Sequence, residues 1–361
     1  MDLSIEDGLL GREVFVGEGV RASADSVRRV EFPVEASVGE PSPGYSIGIN
    51  LGSGLRLVEG ERSQLLCDGG TNLRWRVAVD VAAAPGRLRY SAALRSANGR
   101  AVRSVTRDVN TVAVGRTVFD PAVDGFAFSN KPGLFGSSLP PRSVFDRTYR
   151  GGLNLYRSKL YEGLYHSVFQ AGLCTGMARA ALWLATSERL GKAADRTADD
   201  EATREIIQLL HGRQLSDRAL LSSAYAILFC GPRKTFRKFR EQVLTARRSP
   251  IAIDVGVPKV TRTDFLRAVV RQGHTVVPYA YELRTGNRAR IYVYDPVFPS
   301  VALCEERLAI EIDLAANSYR YRGWSSDDPE NRTTILGVPL SAYTDGATAY
   351  IASLAAMVGI K

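Results

Sequence analysis

The sequence is sparing with the residues that most often carry chemistry. Only four cysteines and three histidines occur in 361 residues. Cys67, Cys174, Cys230 and Cys304 lie far apart and form no C-x-x-C pair, which excludes zinc-ribbon spacings and a dense disulfide framework. Free thiols in a reducing compartment follow as the expectation, with no metal and no cofactor. Long apolar runs are missing as well: AYIASLAAMVGI near the end falls far below the roughly 20 residues that cross a bilayer. The opening MDLSIEDGLLGREV carries acids where a secretory leader has a basic region, and no apolar core or small-residue cleavage site follows. As given, the chain reads as cytoplasmic and without a membrane partner. It also lacks repeats and low-complexity tracts.

What it has is basic charge, unevenly placed. The formal net charge is +9. Residues 1–116 are nearly balanced, with 15 Arg against 14 acidic side chains, whereas RKTFRKFREQVLTARR (233–248) holds seven basic residues and one acid. Such a segment is a solvated helix face or a surface for an acidic partner. Phe236 and Phe239 lie among the charges, but no nucleic-acid motif accompanies them, so no specific nucleic-acid partner is expected.

Periodicity divides the chain. Between Glu13 and Gly115, segments such as YSIGINLG, LRWRVAVDVA and RLRYSAALRSANG alternate apolar and polar residues between Gly, Pro and Asn punctuation. This predicts an antiparallel, immunoglobulin-like β-sandwich over residues 1–116, a binding or accessory domain with Trp75 in its core. After the Gly/Pro/Ser-rich stretch DPAVDGFAFSNKPGLFGSSLPPRS (120–143) the period becomes helical, over 174–190, TREIIQLLHGRQ, DRALLSSAYAILF and the basic segment. Then come a strand at PIAIDVGV, a helix at RTDFLRAVVRQ, and strands at HTVVPYAYEL and ARIYVYDP. Helices followed by a mostly antiparallel sheet predict an α+β domain over 117–361.

Cys174 stands apart from the other cysteines, which have the apolar neighbours of buried small hydrophobes. In Gly172-Leu173-Cys174-Thr175-Gly176-Met177 it opens a helix, where unpaired amides favour thiolate over thiol. The flanking glycines suggest backbone kept low around an uncovered sulfur; the alternative is a small core residue at a tight helix start. A thiol nucleophile needs a base. His211, in LLHGRQ, reads as a surface residue at a helix C-terminus, and His166, eight residues before the cysteine, cannot easily turn back to it. His274 begins a strand. Alternation in Ile291-Tyr292-Val293-Tyr294-Asp295 puts Asp295 on an apolar face, an awkward place for an unpaired charge. If the two strands form a hairpin around ELRTGN, position 274 opposes 295. The carboxylate then orients the imidazole while the other ring nitrogen meets the sulfur.

The ordered set G-x-C-x-G-M, G-H and Y-V-Y-D-P resembles the papain-like cysteine peptidase superfamily, in particular its bacterial and archaeal branch. DGFAFSN (124–130) is similar to that branch's opening motif, so the resemblance runs from about Asp120 to the C-terminus and leaves out the sandwich. It implies Cys174 as nucleophile, His274 as general base and then acid, and Asp295 as the orienting residue. A thioester and a protein or peptide substrate are implied with them. The resemblance also implies an oxyanion donor upstream of the cysteine. Gln170 is four residues before it rather than the usual six, where Val168 stands, so Asn130 is the second candidate. The same residues would serve acyl transfer or peptidoglycan cleavage. The non-enzymatic alternative is an inactive papain-like scaffold joined to a sandwich adaptor. Trp324, in YRGWSSDD, either lines the cleft or packs in the core.

Overall fold

In the computed structural model the described residues are 3–7, 14–17, 31–38, 45–53, 55–65, 72–79, 87–131, 135, 139–149, 157–170, 172–187, 191–246, 250–258, 273–299, 308–328, 333–345 and 348–352. The helix expected over 262–272 and the residues Cys67 and Cys304 lie outside them. The chain divides into two compact units, Met1–Gly115 with Glu282–Asn287, and Arg116–Tyr281 with Arg288–Lys361.

The first unit is a β-sandwich. Its strands are β1 (Leu3–Asp7), β2 (Val14–Gly17), β3 (Glu31–Val38), β4 (Ser46–Leu51), β5 (Leu55–Glu59), β6 (Ser63–Leu65), β7 (Asn72–Val79), β8 (Arg87–Arg95) and β9 (Ala101–Arg116). One sheet runs β1-β3-β7-β5, and β6-β4-β8-β9 run side by side in another, all antiparallel. β2 adds to β9 in parallel. Alternation along each strand turns one set of side chains inward. Val34, Ala36, Trp75 and Val77 of the first sheet meet Ile47, Ile49, Tyr90, Ala92 and Leu94 of the second in a single core. The Trp75 indole N–H, buried there, donates to the Glu61 carbonyl at 2.7 Å, which satisfies its one polar atom.

The second unit is α+β. Short helices α1 (Pro121–Asp124), α2 (Arg142–Thr148), α3 (Arg157–Leu160) and α4 (His166–Gln170) come first, with a π-helical turn at Tyr161–Tyr165 between α3 and α4. The longer helices α5 (Cys174–Thr186), α6 (Glu201–Gly212), α7 (Asp217–Phe229) and α8 (Pro232–Ala246) follow, and α9 (Ser341–Thr344) lies near the end. The strands are β10 (Ile251–Pro258), β11 (His274–Arg284), β12 (Arg288–Tyr294), β13 (Ala309–Asp313), β14 (Ser318–Tyr321), β15 (Trp324–Ser325) and β16 (Thr333–Pro339). β15-β14-β13-β12-β11 lie in order, and β10 pairs antiparallel with both β11 and β16.

α5 is the element around which this unit packs. CTGMARAALWLAT is apolar on nearly every face, the pattern of a buried helix, and all but three of its residues are buried. Met177, Ala181 and Leu182 share a core with Ile207 and Leu210 of α6, Val277 of β11, Tyr294 of β12 and Val338 of β16. The N-terminus of α5 and the start of β11 are thereby fixed in one framework. Among the described residues no helix is long and apolar enough to cross a membrane.

Candidate active site

Cys174 is the first residue of α5, so its sulfur lies where the helix presents unpaired amides. Gly172 enters that turn at φ +108°, a backbone region that L side chains rarely adopt. Gly176 has a different reason from the one the sequence suggests. A Cβ there would lie 2.3 Å from the Ile207 carbonyl oxygen and 2.7 Å from the His211 Cβ. The residue is small because α6 packs directly against the first turn of α5, and not to open a path for substrate.

His274 begins β11, opposite Val255 of β10. Its Nε2 lies 2.5 Å from Asp295 Oδ1, and its ring lies close enough to the Cys174 sulfur for each to shift the other's proton affinity. With Nε2 on the carboxylate, Nδ1 is the nitrogen left for the thiol. Both residues are buried, Cys174 6% and His274 8% exposed. Burial pushes the thiol up, but the His274 ring, the Thr275 backbone and the Thr175 hydroxyl outweigh it and hold Cys174 below its ordinary value. For the imidazole, burial lowers its pKa, and the bonds to Asp295 and Cys174 overcome that and raise it to about 10. A lowered thiol beside a raised imidazole is the signature of a thiolate–imidazolium pair.

Asp295 follows β12 and is fully buried, so its charge must be met on every side. Besides His274 it accepts from the Val297 amide at 2.9 Å and the Tyr321 hydroxyl at 2.7 Å. The Arg322 guanidinium lies 3.5 Å from Oδ2. Burial raises this carboxyl, and the His274, Tyr321 and Val297 contacts reverse the sign and hold it below the usual range. Trp324 stacks on the His274 ring at 5.9 Å and 16°, and Tyr321 stacks in turn on the indole. The Trp324 ring therefore covers the histidine next to its bond to Asp295, where competing water would weaken it.

Of the two oxyanion candidates, the structure joins Asn130 to the residue before Cys174. Its Oδ1 accepts from the Leu173 backbone amide at 3.1 Å, and its backbone N–H donates to the Pro296 carbonyl at 2.7 Å. Asn130 thus ties the residue before the cysteine to the one after Asp295. With Oδ1 engaged, the Nδ2 donors face the Gly172 side of the loop, 3.5 Å from where a Cβ on that glycine would stand. Gln170 ends α4 with its side chain exposed. The rest of DGFAFSN lies along the same strand end, the Phe126 amide donating to the Tyr294 hydroxyl at 3.1 Å.

A buried polar network beneath the pair was not legible in the sequence. Thr175 and Thr275, each next in the chain to a member of the pair, join hydroxyl to hydroxyl at 2.9 Å. Thr275 donates to Asp254 of β10 at 2.8 Å. Arg179, one turn along α5 and fully buried, reaches both Asp254 oxygens at 3.1 and 3.2 Å and Thr275 at 3.3 Å. Its guanidinium lies 3.7 Å over the Tyr343 ring. One signal was available: Arg179 is the single charge in an otherwise apolar helix.

His211 corrects the sequence reading. It is not a surface residue but fully buried against α5. Nδ1 accepts from the Gly176 amide at 3.3 Å and Nε2 reaches the Val168 carbonyl at 3.0 Å. Burial, opposed by the Val168 bond, takes its pKa down to about 4, so it stays neutral and caps a free amide of α5's first turn. His166 begins α4 and takes no part in the pair. Among the described residues no group of His, Cys, Asp and Glu is arranged to hold a metal ion.

No family model matches the chain, and no curated protein matches it. Solved structures give faint likenesses. A variant of Salmonella alpha-2-macroglobulin is 12% identical with a TM-score of 0.22, covering 60% of this chain and 14% of its own. Salmonella alpha-2-macroglobulin reacted with methylamine is 13% identical with a TM-score of 0.21, covering 59% and 14%. Native Escherichia coli alpha-2-macroglobulin from domain MG7 to the C-terminus is 11% identical with a TM-score of 0.22, covering 74% and 54%. The chain therefore spans only a small part of the Salmonella proteins it matches.

Proposed function

We propose that the protein is a cysteine-type amide hydrolase of papain-like mechanism, a peptidase in its simplest form. The observation that carries this reading is the chain of contacts from Cys174 through the His274 ring to Asp295. It sits at a helix N-terminus that favours a thiolate. Cys174 attacks the substrate carbonyl, and the tetrahedral oxyanion is met by its own backbone amide and Asn130 Nδ2. His274, protonated in the resting pair, gives its proton to the leaving amine. It then takes one from the water that cleaves the thioester. Asp295 holds the ring in one tautomer and stays ionised throughout.

The test is chemical labelling of the intact protein. Iodoacetamide should alkylate Cys174 at neutral pH much faster than Cys67, Cys230 or Cys304, as read by peptide mass mapping. His274→Ala should remove that advantage. Equal labelling of the four thiols refutes a thiolate at this site, and labelling that survives His274→Ala refutes the pair. Rapid labelling with no turnover on any peptide or amide library would leave the scaffold reading in possession of the site.

A further inference from the structure

We infer that the outer face of α7, together with the basic face of α8, is a docking surface for an acidic amphipathic helix of a partner protein. α7 is apolar on both sides. Its inner side packs Ala219, Leu220 and Ala226 into the unit's cores. Its outer side carries Leu221, Tyr225, Leu228 and Phe229, which are 60%, 56%, 48% and 63% exposed. Arg218, already paired with Asp345, is the charge that precedes them on that face. Single exposed hydrophobes are ordinary, but four on one helical stripe are not.

The spacing and the charge say what fits. Residues 221, 225 and 228 follow one another by four and then three positions, the narrow seam with which one helix receives the side chains of another. Lys234 lies beside this seam, its ammonium 5.3 Å over the Tyr225 ring and 3.3 Å from the Phe229 carbonyl. Arg237 and Lys238 follow it by three and four residues, both exposed, so they continue the same face of α8. Glu241 is the one acid of that helix. An apolar seam bordered on one side by cations calls for an apolar stripe bordered by carboxylates.

The corner between the two helices is also set in advance. Tyr225 and Phe229 rest ring to ring at 5.2 Å. The start of α8 is pinned to the β13–β14 turn, where the Arg233 amide donates to Asn317 Oδ1 at 2.9 Å and its guanidinium to the Leu314 and Ala315 carbonyls. A surface fixed before contact loses little entropy on binding. The same features argue against other occupants. A second copy of the chain docking through this face would bring its own basic α8 to the seam, like charge on like. A lipid surface is matched by a broad apolar face rather than a stripe one helix wide.

The experiment uses the full chain and a fluorescent four-turn helical peptide with leucines at alternating three- and four-residue spacing and glutamates on both flanks. Binding is read by anisotropy. A second peptide keeps the leucines and replaces each glutamate by lysine. Vesicles of phosphatidylcholine with phosphatidylserine and sedimentation of the protein alone test the other occupants. The acidic peptide should bind saturably. It should weaken by about tenfold or more with Tyr225→Glu, with the Lys234→Glu/Arg237→Glu/Lys238→Glu variant, and at high salt. The Cys174 alkylation rate should be unchanged, which shows both variants to be folded. Absence of binding, indifference to the sign of the flanks, binding to vesicles alone, or a dimer dispersed by Tyr225→Glu would each overturn the proposal.

Discussion

Thr275 carries more than its size suggests, because its hydroxyl gives one hydrogen bond to Asp254 and receives others from Thr175 and Arg179. Removing it leaves buried donors without an acceptor beside Cys174, a cost of about 1–3 kcal/mol. Thr275→Val should therefore lower stability by that amount in urea titration and slow Cys174 alkylation, while Thr275→Ser retains both. A valine variant with native alkylation would make the network irrelevant to the pair. The pair sets its own pH window. As pH rises, turnover should increase while Cys174 loses its proton below its ordinary value. It should decline again as His274 loses its proton near the pKa of about 10 given by its partners, since a neutral imidazole cannot protonate the leaving amine. A flat rate–pH profile would exclude the mechanism. His211 acts on stability with the opposite sign from a salt-bridged histidine. Buried and neutral, it resists protonation down to about 4, whereas the unfolded chain binds that proton near the ordinary histidine value of 6.5. Between those values the unfolded state holds more protons, so stability falls as pH falls, by about 3 kcal/mol in all. His211→Gln keeps a donor and an acceptor. It should flatten this part of the stability–pH curve by up to one proton's slope, as measured by urea unfolding across that range.

Helix α5 shows what a pattern can and cannot disclose. Its start at Cys174, the strand that His274 begins, the strand that Asp295 follows, and the long helices are legible because each follows from local periodicity, a turn residue or a glycine. Contacts between elements are not local, and there the sequence misleads. His211 in LLHGRQ has the look of a polar helix end. Only the packing of α6 on α5 makes it a buried cap, and Gly176 looks permissive for substrate until the Ile207 carbonyl is seen above it. Strands β13 to β15 go unrecognised for another reason. AIEID and SYRY are short and their alternation includes charges, so they carry no run long enough to outweigh loop composition. The packing argument gives a prediction at this scale. Gly176→Ala places a methyl inside the Ile207 carbonyl's contact distance, against backbone that cannot turn aside. It should cost about 1–3 kcal/mol, as overpacking does, and lower the thermal midpoint by several degrees. Cys174 should then react more slowly, because α5 can relieve the clash only by shifting its first turn. Gly163→Ala, where the structure has open space, is the matched control and should leave both quantities near native.

Across the whole molecule, charge and hydrophobicity are distributed by unit. The sandwich has nearly as many acids as arginines, whereas the α+β unit holds most of the excess positive charge, concentrated on α8. Each unit buries a core of its own, one centred on Trp75 between two sheets and the other on α5 between helices and sheet. Cooperative unfolding follows a shared core, so a chain with two cores need not melt in one step. Trp75 is the largest side chain buried in the sandwich, and replacing it with alanine should cost that core about 3–5 kcal/mol. Calorimetry of Trp75→Ala should show one transition shifted to lower temperature and a second at its native position. Alkylation of Cys174 in the interval between them should still proceed at the native rate. If the variant instead melts in a single displaced transition and loses Cys174 reactivity with it, the two cores are one cooperative system. The sandwich would then be a structural requirement of the α+β unit rather than a separable module.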